Sequence, residues 1–242
     1  MKRRLLLMVV LTVGLMVIFT AGCSEGTKPP AGNENQANEG NNSAVVIAEE
    51  ELDPAVWGQI FPVQYQSYLK NNDQSKTQYG GSVKESKFIT EPEIIELFKG
   101  YGFSKDYNED RGHTYAMNDL LSTGRVGDKT PGSCLTCKTP SAVKLIKEKG
   151  LDYYNSPMLE LAKGIKHPIA CADCHEPGSP ALKVERPAFI NAMKERGIDI
   201  SKASREEMRT YVCAQCHSEY FFKAETKEVT FPWANGLEPA QI

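Results

Sequence analysis

No cysteine is spare in this 242-residue chain: six of the seven lie in three Cys-x-x-Cys pairs, and the seventh is Cys23. A disulfide-stapled scaffold is therefore excluded unless those pairs are broken. Histidine is equally scarce. Two of the four, His175 and His217, directly follow a Cys pair, leaving only His113 and His167. Charge bias is missing too. Against 28 Lys and Arg stand 31 Asp and Glu, a net −3, so nothing points to a nucleic-acid partner. Strand signals are few, and the best of them, residues 228–231, is short. No internal repeat occurs beyond the Cys pairs, which excludes a solenoid. The hydrophobic fraction is a modest 40% in a chain long enough for one sizeable core or two small ones.

The one long apolar run, residues 5–19, is rather short for a stable membrane span. It follows Lys2-Arg3-Arg4 and precedes Thr20-Ala-Gly-Cys23, the order of a secretory signal. Ala-Gly-Cys resembles the bacterial lipoprotein box, with Thr20 where that box usually has Leu. Residues 1–23 are accordingly expected to be a signal peptide. Lipidated Cys23 would then anchor an exported protein in the periplasm or at the outer face of the cytoplasmic membrane. Plain cleavage and an uncleaved anchor are the alternatives. Residues 24–45 are expected to form a disordered tether, since 24–43 hold five Asn and no aliphatic residue larger than Ala. Ordered sequence should begin near residues 45–57, and residues 46–242 form the functional part.

Within that part the signals are mostly helical. Thr90-Glu-Pro-Glu93 reads as a capping box, followed by an apolar face of Ile94, Leu97 and Phe98 and a stop at Gly100. Residues 141–149 and 187–196 read as helices ending at Gly150 and Gly197. Ser204-Arg-Glu-Glu207 is a second capping box, and Met208, Tyr211 and Val212 lead helically into Cys213. Cys-x-x-Cys-His at residues 171–175 and 213–217 is the spacing of c-type haem attachment, so the expected fold class is mainly α, a multihaem cytochrome c with few short strands and haems forming much of the core. Porphyrin faces would supply the apolar surface that the composition lacks.

The haem reading comes from the Cys pairs. Cys171-Ala-Asp-Cys174-His175 and Cys213-Ala-Gln-Cys216-His217 are c-type haem attachment sequences, with two thiols for the vinyl groups and an axial imidazole just after. Cys134-Leu-Thr-Cys137-Lys138 keeps the thiol spacing but puts Lys where His belongs. A zinc module is the competing reading of paired cysteines. Three pairs fit tetrahedral sites awkwardly, however, and export argues against zinc thiolates. An ammonium, with an ordinary pKa near ~10.4, must lose its proton before it can bind iron. An iron with one unusual ligand and an open far face suits catalysis better than electron relay.

The order of one Cys-x-x-Cys-Lys and two Cys-x-x-Cys-His motifs resembles the pentahaem, ammonia-forming cytochrome c nitrite reductases. Trp57-Gly-Gln-Ile-Phe-Pro-Val-Gln-Tyr65, Tyr79-Gly-Gly81, Arg111-Gly-His-Thr-Tyr115, Cys213-Ala-Gln-Cys-His-Ser-Glu-Tyr220 and Phe231-Pro-Trp233 are similar to stretches of that family as well. The resemblance runs from about residue 50 to the end. It implies that Cys134, Cys137 and proximal ligand Lys138 hold the active haem. Cys171, Cys174 and His175 would hold the second haem, and Cys213, Cys216 and His217 the third. His113 resembles the distal ligand of the third haem, and Arg125 and Tyr220 match the active-site Arg and Tyr. Glu219 and the Tyr220 carbonyl resemble two ligands of the family's calcium ion. A permanently charged Arg suits an anionic substrate, Tyr can donate a proton, and Ca²⁺ favours oxygen donors. Outside the resemblance, Arg125 reads as a solvated loop charge, Tyr220 as a core aromatic and Glu219 as a surface acid. His167 has no matching role and reads as a loop histidine.

The family carries five haems, whereas this sequence has three motifs and ends at Ile242. The active-site His, two calcium ligands, two haem motifs and the dimer helices that the family places further on are not in it. The expectation is the N-terminal half of a nitrite reductase, binding nitrite weakly and turning over poorly by itself. The family's reaction is the six-electron reduction of nitrite to ammonium, fed by a membrane quinol-oxidising cytochrome c. A non-catalytic trihaem electron-transfer lipoprotein is the second expectation, and a zinc-binding structural module the third.

Overall fold

A computed structural model describes residues 46–81 and 83–241. The signal, Cys23 and the tether expected in residues 1–45 lie outside the described residues. Among these, no helix is long and apolar enough to cross a membrane.

Two prolines at first helical positions open the fold, where the missing N–H is no loss. Asp53 caps α1 (Pro54–Ile60), accepting from the Ala55 N–H at 2.8 Å, and Phe61 separates α1 from α2 (Pro62–Leu69). A two-residue ribbon pairs β1 (Lys76–Thr77) antiparallel to β2 (Gly80–Gly81), with Lys76 opposite Gly81. Short helices α3 (Lys87–Thr90) and α4 (Ile94–Leu97) follow.

The capping box expected at Thr90 does not form: Thr90 closes α3, and Glu93 precedes α4 without a side-chain cap. The reason is Pro92, which disfavours helical geometry at Glu91 and leaves it at φ −141°, ψ 66°. The expected apolar face is also narrower. Ile94 is buried, but Leu97 is 74% exposed, while Phe98 turns edge-on to Phe103 at 5.3 Å.

Further along, α5 (Ala116–Ser122) precedes the first Cys pair, and α6 (Ser141–Lys149) follows it with the expected bounds. Then come α7 (Asp152–Asn155), α8 (Met158–Ala162) and α9 (Pro187–Glu195), which stops one residue before the expected end. The capping box of α10 (Arg205–His217) is reciprocal. Ser204 Oγ accepts from the Glu207 N–H at 3.2 Å, and Glu207 accepts from the Ser204 N–H at 2.8 Å. The last ribbon pairs β3 (Phe221–Phe222) with β4 (Val229–Thr230), so the strand expected at 228–231 loses a residue at each end. The chain is mainly α with two short ribbons, as expected.

The side-chain core gathers Leu135, Tyr153, Met158 and Phe189. Phe189 meets Phe231 at 5.8 Å and Trp233 at 5.7 Å, both edge-on, which ties α9 to the Phe-Pro-Trp segment. A smaller cluster joins Ile47, Trp57 and Ala172. Of the first residues between the paired cysteines, Leu135 and Ala172 are buried and Ala214 is half-buried. Leu135 and Ala214 pack in or against the main core, and Ala172 packs under Trp57.

Candidate functional site

All three Cys pairs sit on helical turns, which places the two thiols of each pair one turn apart. The first occupies the 3₁₀ turn Gly132–Leu135 and its continuation, where the Lys138 N–H donates to the Leu135 carbonyl at 3.0 Å. The second is the 3₁₀ turn Cys171–Asp173, closed by the His175 N–H on the Cys171 carbonyl at 3.0 Å. The third is the last turn of α10. Gly132 has to be glycine, because a Cβ there would lie 2.2 Å from the Tyr153 carbonyl oxygen. None of the six thiols forms a disulfide; Cys213 is exposed and the others are half-buried.

His113 and His217 face each other with ring centroids 6.0 Å apart. Two imidazoles bound through ~2 Å nitrogen–metal bonds to one ion have ring centres roughly 6 Å apart, so the pair has the spacing of shared axial ligands. Burial, with help from His217 and Lys138, holds His113 below the usual imidazole range, in the neutral form that a ligand requires. His113 is aimed by its loop. Gly112 sits at φ +89°, Arg111 Nε bonds Asp119 at 2.9 Å, and the Arg111 guanidinium lies 4.0 Å over the Tyr115 ring.

His175 stands apart from this pair. Its Nδ1 meets the Pro180 carbonyl at 3.1 Å, an arrangement that leaves Nε2 free as a ligand. His167 contributes its backbone: its carbonyl accepts from Thr139 Oγ1 at 2.8 Å, beside Lys138. Lys138 is half-buried and has no ion-pair partner among the described residues.

Tyr220 lies by the first motif. Burial and the Cys137 and Cys134 thiols push its phenol above the usual range, with Arg125 opposing, so it stays a proton donor. Arg125 is on an exposed loop, its guanidinium 4.7 Å over the Phe103 ring. Asp106 holds that loop, accepting from the Gly124 N–H at 2.7 Å and from Thr123 Oγ1 at 2.8 Å. Glu219 is exposed, and no cluster of three or more acidic, His or Cys side chains suited to a metal ion occurs among the described residues. Glu219 and the Tyr220 carbonyl supply two oxygens, short of the roughly six to eight that calcium takes.

The thiols of different motifs also meet. Contact with the neighbouring Cys216 thiol lowers Cys137 against the effect of burial, while Cys216 moves up. Between the motifs lies Arg186, a residue that sequence reasoning did not single out. An Arg before a Pro in a charged stretch carries no signal of burial.

The sequence profile of the cytochrome c552 family matches residues 53–242. The chain belongs to this family. A cytochrome c-552 of Parabacteroides distasonis is 42% identical over 185 residues, covering 73% of this chain and 37% of the relative. A cytochrome c nitrite reductase subunit NrfA of Nitratidesulfovibrio vulgaris is 32% identical, covering 95% of this chain and 47% of the relative. The solved cytochrome c nitrite reductase of Desulfovibrio desulfuricans, a catalytic subunit with two calcium sites, superposes with a TM-score of 0.74 at 34% identity. It covers 81% of this chain and 47% of its own. The chain thus spans less than half the length of these relatives.

Proposed function

We propose that this chain carries the nitrite-reducing haem of an ammonia-forming nitrite reductase on Cys134, Cys137 and Lys138. Relay haems would be held on Cys171, Cys174 and His175, and on Cys213, Cys216 and His217. The observation that carries the reading is Lys138 itself: a half-buried amine directly after Cys137 with no ion-pair partner among the described residues, and with Arg125 and Tyr220 within electrostatic range of the Cys134 thiol. A pure relay haem has no use for a fixed cation and a protonated phenol. When bound, the haem would supply an iron that accepts electrons one at a time and takes up the anionic substrate.

The overall balance is one nitrite, six electrons and eight protons giving one ammonium and two waters. The chain's own residues serve it as follows. Lys138 would offer its amine as the protein ligand, a role that requires the neutral form. Arg125 draws in the anion and offers fixed donors to its oxygens. Tyr220 keeps its proton until an oxygen departs as water. His113 and His217 share one relay site, and the Pro180 contact orients His175. No step is assigned to calcium. The electrons would come from a membrane quinol-oxidising cytochrome c. The chain is exported and anchored by a lipid on Cys23, which mass analysis of the mature N-terminus tests directly.

The decisive experiment is electron paramagnetic resonance on the haem-loaded protein, with ammonium formation from nitrite followed under a reduced viologen. A high-spin signal that nitrite perturbs, and that weakens in Arg125→Ala, is expected. Low-spin signals alone, indifferent to nitrite, would leave the trihaem electron carrier in its place. A colourless protein without a pyridine haemochrome spectrum would leave the zinc module.

A further inference from the structure

The second residue between the two cysteines of each motif is Thr136, Asp173 or Gln215. All three motifs converge on one residue, Arg186: the first two through its guanidinium and the third through its backbone N–H. Arg186 is 1% exposed. Its Nε donates to the Thr136 carbonyl at 2.8 Å, and its Nη2 donates to the Thr139 carbonyl at 3.2 Å and pairs with the Asp173 carboxylate. Its backbone N–H donates to Gln215 Oε1 at 3.3 Å, and the same oxygen accepts from the Glu185 N–H at 3.2 Å. Gln215 Nε2 closes the ring by donating to the Asp173 carbonyl at 3.2 Å. Asp173 also accepts from the Ala170 N–H at 2.9 Å, at the entry to the second motif.

A buried ion pair is a poor source of net stability, because desolvating two charges consumes most of their attraction. What this one provides is direction. A guanidinium is a rigid planar fork, always charged, that can hold several acceptors at fixed angles at once; a lysine or an apolar side chain cannot. Pro187 adds to the constraint by keeping Arg186 extended, at φ −70° and ψ 112°. In each motif the first intervening residue therefore faces apolar packing, and the second faces the arginine network.

Given the reading of the three Cys pairs as haem attachment turns, we propose that Arg186, paired with Asp173, is a positioning residue for the haem chain. It fixes the separation and orientation of the three turns, and through them the coupling between haems. Electron exchange falls steeply with haem separation, so loosening this junction disturbs relay without touching any axial ligand.

The test compares the haem-loaded wild type with Arg186→Lys and with the pair Arg186→Met/Asp173→Asn, which removes the charge from both sides. Covalent haem per chain, reduction potentials by spectroelectrochemistry, and haem–haem magnetic coupling by electron paramagnetic resonance are measured beside thermal unfolding. Arg186→Lys is expected to keep its haems but show altered coupling and shifted potentials. The double variant is expected to lose more coupling at a comparable unfolding temperature. Unchanged coupling and potentials in both variants, whatever their stability, would overturn the proposal, since a merely structural role moves only the unfolding temperature. Failure of the double variant to fold leaves Arg186→Lys to decide. A wild-type chain without covalent haem would overturn the attachment reading itself and this inference with it, an outcome visible before any variant is made.

Discussion

Gly112→Ala separates strain from ligation in the His113 loop. Gly112 lies at φ +89°, ψ −178°, a region essentially closed to side-chain-bearing residues. Holding alanine there costs about 1–3 kcal/mol. The new Cβ would also sit 3.2 Å from Asn71 Oδ1, and Asn71 is tied by its amide to the Tyr68 carbonyl at 2.9 Å. Displacing that bond adds up to about 1 kcal/mol. The backbone has two responses. It can keep its path and lose about 1–4 kcal/mol of stability. Otherwise it can relax to negative φ, in which case His113 swings away from His217 and the 6.0 Å spacing is lost. Urea unfolding followed by circular dichroism reads the first outcome, and the low-spin fraction of the haem-loaded protein reads the second. A variant within ~0.5 kcal/mol of wild type, the level of a neutral surface substitution, with an unaltered low-spin signal would refute the assignment of Gly112 as the residue that aims His113.

Leu135→Ala should cost about 2–5 kcal/mol, measured by urea unfolding, because Leu135 is fully buried inside the first motif. Tyr153→Phe should change stability by less than about 1 kcal/mol, because among the described residues the buried hydroxyl finds at most a weak contact with the Thr136 hydroxyl; calorimetry decides. Asp106→Ala should loosen the Arg125 loop at a cost of about 1 kcal/mol, discounted for partial exposure, and weaken nitrite binding in a spectral titration. Burial pushes the Asp106 carboxyl up, but its bonds to Gly124, Thr123 and Asn108, with Arg125 nearby, hold it below the ordinary value of 3.8. Its stabilisation is therefore complete above that value and fades as pH falls through the lower folded value, so acid unfolding of Asp106→Ala should begin from a lower plateau and be less steep there.

Covalent and local features were legible in the sequence. The Cys-x-x-Cys spacing, the lysine in the place of a histidine, the limits of α6 and the capping box of α10 follow from turn geometry and caps that act within a few residues. The failed box at Thr90 was local as well, and Pro92 overrode it. What needed the tertiary structure acts across long stretches of chain. The pairing of His113 with His217 depends on a loop and a helix end about a hundred residues apart. The placement of Arg125 over the Phe103 ring depends on the loop that Asp106 braces. The second intervening residues of the motifs look like ordinary polar variation until Arg186 is seen buried among them. By itself the sequence determined which groups are available and in what local turns, because bond geometry sets those. Only the folded chain decided which groups share one desolvated point, because burial and long-range hydrogen bonds belong to no single segment.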